Sequence, residues 1–300
     1  MSGTGQRGFA PAGAPWRSLD GAGLEAAYSP SSCIGGNYQP FVQAYAQRSA
    51  QAQARLAFKT HGYGPAPAQR LDLFLPAAAA GAQPPPLLVF IHGGYWQALG
   101  KDQSAFAAAD CVRQGIAHAV LGYTLAPQAS LPQIVAECRL ALRWLHSRAG
   151  ALGFDARRIV VAGSSAGAHL AAMVALPDAG DPGLAGCVQA TVLVSGIYAL
   201  EPLLGTSINA ALGLTLPVAL AMSPALQPLA GFAPSIVCWG EVETDEFKRQ
   251  GRDFAHALRA AGRACQVFEV AQRNHFDIVL DLADPGTPLG RAVLALLRGG

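Results

Sequence analysis

Short apolar runs alternate along the chain with longer segments whose apolar positions recur every three or four residues. Arg55 to Lys59, Leu71 to Leu75, Leu87 to Ile91, Ala117 to Tyr123, Arg158 to Ala162, Ala190 to Ser195, Ser235 to Trp239 and Cys265 to Val270 read as strands. Between them, Ile134, Val135, Cys138, Leu142 and Leu145 fall on one face of a helix, as do Phe247, Phe254 and Leu258 further on. Strands alternating with helices predict an α/β fold with a mostly parallel eight-stranded sheet and helices on both faces. The two earliest strands fit an antiparallel edge.

The remaining stretches set the boundaries. Residues 1–20 are rich in Gly, Ala and Pro, bury little, and predict a mobile N-terminal tail ahead of a single domain over 21–300. Gly3-Thr4-Gly5-Gln6-Arg7-Gly8 fits G-x-G-x-x-G, but no strand precedes it and no helical pattern follows, so its context excludes dinucleotide binding. Ala78 to Pro86 predicts an exposed loop. Leu203 to Met222 is uncharged and long enough to span a bilayer, yet Gly205, Asn209, Gly213 and Pro217 interrupt it. It predicts a small lid-like helical region near 199–225 instead of a membrane span.

Composition narrows the function classes. With 51% hydrophobic and 13% charged residues in 300, the chain can bury a sizeable core. Its 21 basic and 19 acidic residues are mixed along the chain for a net charge of +2, which offers nucleic acid no basic track. The six cysteines are scattered without a metal-ligand spacing, and the N-terminus lacks the apolar stretch of a secretory signal. These features predict a cytoplasmic protein with no metal.

Chemistry in such a sheet gathers at the carboxyl ends of the strands. Gly163-Ser164-Ser165-Ala166-Gly167 fits G-x-S-x-G between a strand and an apolar helix, the setting in which a sharp turn exposes the central serine, Ser165. A serine hydroxyl needs a base and a group to orient that base. His275 follows the last strand and Glu243 follows the strand before it, so the order Ser165, Glu243, His275 is that of elbow hydrolases. Asp245 is the alternative acid, although it and Glu246 sit where Thr244 would cap a helix and offset its dipole.

His-Gly-Gly-Tyr-Trp, His92 to Trp96, supplies the remaining component. Glycines at a strand end leave backbone amides open, so the N–H groups of Gly93, Gly94 and Ala166 are the candidate oxyanion donors. His92 is expected to support that loop and His169 to pack within the elbow helix. His61, His118, His146 and His256 read as structural. Tyr95, Trp96, Tyr198 and Phe276 lie beside these motifs and predict a flat slot for an aryl group.

HGGYW, GSSAGAHL, SGIYALEPL, EFKRQ and NHF together resemble the arylformamidase (kynurenine formamidase) branch of the α/β-hydrolase superfamily, close to the hormone-sensitive-lipase-like esterases whose YxLAP element is echoed in YTLAP, Tyr123 to Pro127. The resemblance runs over about residues 25 to 298. It implies a cofactor-free serine hydrolase acting through Ser165, Glu243 and His275 on a small-molecule amide or ester. The substrate it implies is an N-formyl aryl amide such as N-formylkynurenine, with short-chain carboxylesters as the alternative. Ser164 stands where the formamidases usually carry histidine, and Glu243 where they often carry aspartate. A homodimer is the assembly left open.

Overall fold

The computed structural model describes residues 15–77, 83–176, 184 and 186–299. Among them, strands β1 (Phe58–Gly62), β2 (Arg70–Phe74), β3 (Leu87–Ile91), β4 (Ala117–Leu121), β5 (Ile159–Ser164), β6 (Ala190–Val194), β7 (Ser235–Val242) and β8 (Cys265–Asn274) form one sheet in the order β1-β2-β4-β3-β5-β6-β7-β8. β2 pairs antiparallel with both β1 and β4, and every later pairing is parallel. This is the mostly parallel eight-stranded sheet with an antiparallel edge that the apolar runs predict.

Burial explains the strand pattern. β3, β4, β5 and β6 are buried along their whole length, which requires cover on both faces and permits near-continuous apolar sequence. Alternation then divides β3: Leu87, Val89 and Ile91 enter one core cluster, Leu88 and Phe90 the other. Nine helices surround the sheet among the described residues: α1 (Gly21–Ala27), α2 (Gln39–Arg55), α3 (Ala108–Arg113), α4 (Leu131–Leu152), α5 (Ala166–Ala175), α6 (Asn209–Leu212), α7 (Leu216–Ala221), α8 (Asp245–Ala260) and α9 (Pro288–Arg298). α4 and α5 fill the first cluster, and α9 contributes Leu289, Val293, Leu294 and Leu297 to the second. α4 starts where Gln133 Oε1 accepts the Ser130 N–H at 2.8 Å and stops at Gly153, whose φ of 89° suits a left-handed cap.

Some boundaries differ from the sequence pattern. Arg55 ends α2, and β1 starts three residues later at Phe58. β7 and β8 run past their apolar cores, because their partnered ends carry a register shift between Gly240 and Val242 that pairs Val242 with Asn274. A Cβ on Gly240 would lie 2.4 Å from the Arg273 carbonyl oxygen, so the two strands close at that point only over a glycine.

Residues 1–14 of the expected tail, with the G-x-G-x-x-G match, lie outside the described residues, as do 78–82 of the expected loop. Pro15–Ser18 is ordered as a turn of 3-10 helix: Trp16 packs on the core, and Arg17 pairs with Glu201 at 2.9 Å. The stretch 203–222 breaks into short helical pieces at Gly205 and Gly213, and no helix among the described residues is long and apolar enough to cross a membrane.

Candidate active site

Ser165 occupies the turn from β5 into α5 with φ 57° and ψ −121°, a conformation that L side chains rarely adopt. Its N–H donates to the Val194 carbonyl at 2.8 Å, which fastens the turn to the neighbouring strand. Both flanking glycines are sterically required. A Cβ on Gly163 would lie 2.1 Å from Gly167 O, and one on Gly167 would lie 2.0 Å from Ile91 O. Helix and strand therefore touch backbone to backbone, and the serine between them turns outward.

His275 and Glu243 arrive from the ends of β8 and β7. His275 Nδ1 donates to Glu243 Oε2 at 2.9 Å, and both residues are buried. A carboxylate only accepts, so this bond places the ring proton on Nδ1 and leaves Nε2 as an acceptor. The edge of the Phe247 ring sits 4.5 Å from the imidazole, centroid to centroid, and limits its rotation. Glu243 is itself fixed: Oε1 accepts the Gly240 N–H and the Ser195 hydroxyl, each at 2.6 Å. Asp245 is exposed in the first turn of α8, while Thr244 Oγ1 caps that helix through the Phe247 N–H. Glu243 is therefore the carboxylate on the imidazole, and Asp245 stands in the first turn of α8.

The glycine loop after β3 closes on the serine. A Cβ on Gly93 would lie 2.8 Å from Ser164 O and 3.2 Å from Ser165 Cβ, so its backbone approaches the elbow as closely as packing allows. Gly94 has φ 91°, and a Cβ there would also strike Ala98 O at 2.4 Å. Ala166 is the first residue of α5, and a first-turn N–H has no partner within its helix. His92 braces the loop from behind. Its ring stacks on Tyr123 at 4.2 Å, and its Nδ1 donates to Gly93 O at 2.9 Å. Burial pushes the His92 pKa down to about 4, so the ring is neutral. His169 behaves similarly: Nε2 donates to Met222 O at 2.7 Å, and burial lowers its pKa to about 4.

Ser165, His275, Gly93 and Gly94 line one cavity of about 450 Å³. Of the four aromatics predicted for it, Tyr95 and Phe276 are present. Trp96 is fully buried and meets His169 edge-on at 5.0 Å. Tyr198 is also fully buried, stacked on Phe254 at 4.3 Å. Both are core residues, and the predicted slot is corrected accordingly. Its other walls come from the N-terminal segment: Tyr28 follows α1, Tyr38 precedes α2, and Val42 and Tyr45 lie on it. Tyr38 stacks on Phe276 at 5.6 Å, the Tyr45 hydroxyl donates to the Phe276 carbonyl, and the Tyr95 hydroxyl donates to the Tyr28 carbonyl. From the 199–225 region, Ile208 reaches the cavity.

Two features escaped the sequence pattern. Ser195 could have been found as a polar residue ending an apolar strand. The roof could not, because α2 mixes small and polar residues whose apolar stripe is weak.

Comparison with known proteins places these observations among relatives. A family model described as BD-FAE matches residues 71–186. The kynurenine formamidase of Danio rerio is 30% identical over 298 residues, covering 94% of this chain and 98% of that protein. The kynurenine formamidase of Salmo salar is 31% identical, covering 78% of this chain and 80% of that one. Among solved structures, a provisionally assigned thioesterase from a Silicibacter species is 28% identical, covers 90% of this chain and 98% of that one, and superposes with a TM-score of 0.77.

Proposed function

We propose, from the premise that the chain belongs to the kynurenine formamidase family, that it hydrolyses N-formyl aryl amides such as N-formylkynurenine through an acyl-enzyme on Ser165. The protein is a hydrolase with the α/β-hydrolase fold. The observation that carries the reading is the buried His275–Glu243 pair at 2.9 Å, whose imidazole lines with Ser165 one aromatic-walled cavity.

In this reading Ser165 Oγ attacks the formyl carbon while Nε2 of His275 accepts its proton, and Glu243 stabilises the imidazolium that results. The formyl oxygen becomes an oxyanion and receives N–H donors from the Gly93–Gly94 loop and Ala166, each worth about 3 kcal/mol to the transition state. His275 then protonates the departing arylamine. Water, deprotonated by the same imidazole, attacks the formyl ester, and formate leaves with Ser165 restored.

Formyl is the smallest acyl group. In this reading Tyr95, a lining residue next to Gly94 whose hydroxyl is pinned to Tyr28, crowds the acyl side of the site. Each methylene that does not fit costs about 10- to 200-fold in discrimination. Wild-type kcat/KM for N-formylkynurenine should therefore exceed that for p-nitrophenyl butyrate. A higher value for the butyrate ester, with no formamide hydrolysis, would leave a short-chain carboxylesterase in its place.

A further inference from the structure

Glu25 is the one carboxylate in the cavity lining among the described residues, and that lining includes no lysine and no arginine. It projects from α1 and is braced by a second segment: Ser207 donates its N–H to Oε2 at 2.7 Å and its hydroxyl to Oε1 at 2.5 Å. A carboxylate has about four acceptor positions, so each oxygen keeps capacity for another donor. The next residue, Ile208, lines the cavity, and its carbonyl accepts from Gln97 Nε2 at 2.8 Å, which ties this corner to the glycine loop. The carboxylate is therefore held in place before any substrate arrives.

We propose that Glu25 binds a cationic amino group on the aryl half of the substrate, selecting formamides with an ammonium-tipped side chain. This rests on the formamidase reading of the same cavity. An ammonium entering from water loses hydration and regains a charge-assisted hydrogen bond to a carboxylate already oriented. A carboxylate on the substrate finds no cation in the lining and meets the like charge of Glu25, so it is carried only where an ammonium accompanies it.

The test uses four ortho-acyl formanilides with the full chain. One has a neutral ketone side chain, one an aminoethyl ketone, one both ammonium and carboxylate as in N-formylkynurenine, and one a carboxylate alone. Expected kcat/KM falls in the order ammonium alone, both charges, carboxylate alone. Glu25→Gln should lower the ratio of ammonium-bearing to neutral substrate by about tenfold. An unchanged ratio in the variant, or a carboxylate-only substrate cleaved as fast as the ammonium one, overturns the proposal. Turnover of the neutral formanilide reads the formamidase activity separately, so its presence without an ammonium preference sinks the Glu25 assignment alone. Hydrolysis of none of the four removes both.

Discussion

Ser195 donates its hydroxyl to Glu243 Oε1 at 2.6 Å from a left-handed backbone, φ 52°, just past the end of β6. With the Gly240 N–H on the same oxygen, this leaves Oε2 for His275. Ser195 touches neither cavity nor imidazole, so it acts by positioning. Ser195→Ala should lower kcat about tenfold, the value of one hydrogen bond to a charged group, with KM nearly unchanged. A matched rise in KM would assign Ser195 to substrate binding.

Ser165→Ala should reduce kcat by about 10⁴ or more while the melting temperature holds, because the elbow is shaped by its glycines. Ser164→Ala should cost far less. Near-normal turnover of Ser165→Ala would displace the nucleophile to another residue.

The two neighbouring acids should separate cleanly. Glu243→Gln removes the acceptor that fixes the His275 tautomer, and turnover should collapse. Asp245→Asn, exposed in the first turn of α8, should cost a few tenths of a kcal/mol in helix stability and leave kinetics alone. Paired kinetics and melting curves read both, and the opposite pattern would move the acid to Asp245.

Acid should unfold the protein through three buried imidazoles. Desolvation lowers His92, His118 and His169 from 6.5 to about 4. Between those values the unfolded chain binds protons that the native state refuses, so stability rises with pH there and is lost as pH falls from 6.5 toward 4. Above about 6.5 these groups contribute no slope. Melting temperature against pH should show uptake of roughly three protons on unfolding near pH 5. A flat profile between pH 7 and 5 would contradict the burial of these rings.

The parts of this molecule that sequence makes legible are those where backbone chemistry dictates residue type. β3 through β6 must be apolar because both faces are covered, and Gly163 and Gly167 must lack Cβ atoms because carbonyl oxygens lie 2.1 and 2.0 Å away. Side-chain direction carries no such mark. Trp96 follows a cavity residue in sequence and Tyr198 lies within a motif, yet both are buried in the core, while Tyr28 and Tyr45 enter the cavity from segments more than a hundred residues before the nucleophile. Chain direction after a left-handed residue, as at Tyr95 and Trp96, cannot be read from an alternating pattern.

The cavity roof has one further consequence. Residues 25–45 contribute walls but none of the groups assigned to bond cleavage, which all follow the third strand. Part of the admission surface is thus written in a different stretch of the polypeptide from the reaction, joined to it through side-chain links such as Tyr28 to Glu246 at 2.8 Å, Thr244 to Ala27 at 2.7 Å and the Tyr45 hydroxyl to the Phe276 carbonyl. Substitutions at the cavity-facing positions of residues 25–45 should therefore retune which molecules enter while the bond-breaking groups stay in place. Grafting that stretch from one relative onto another would transplant a diet and leave the engine running.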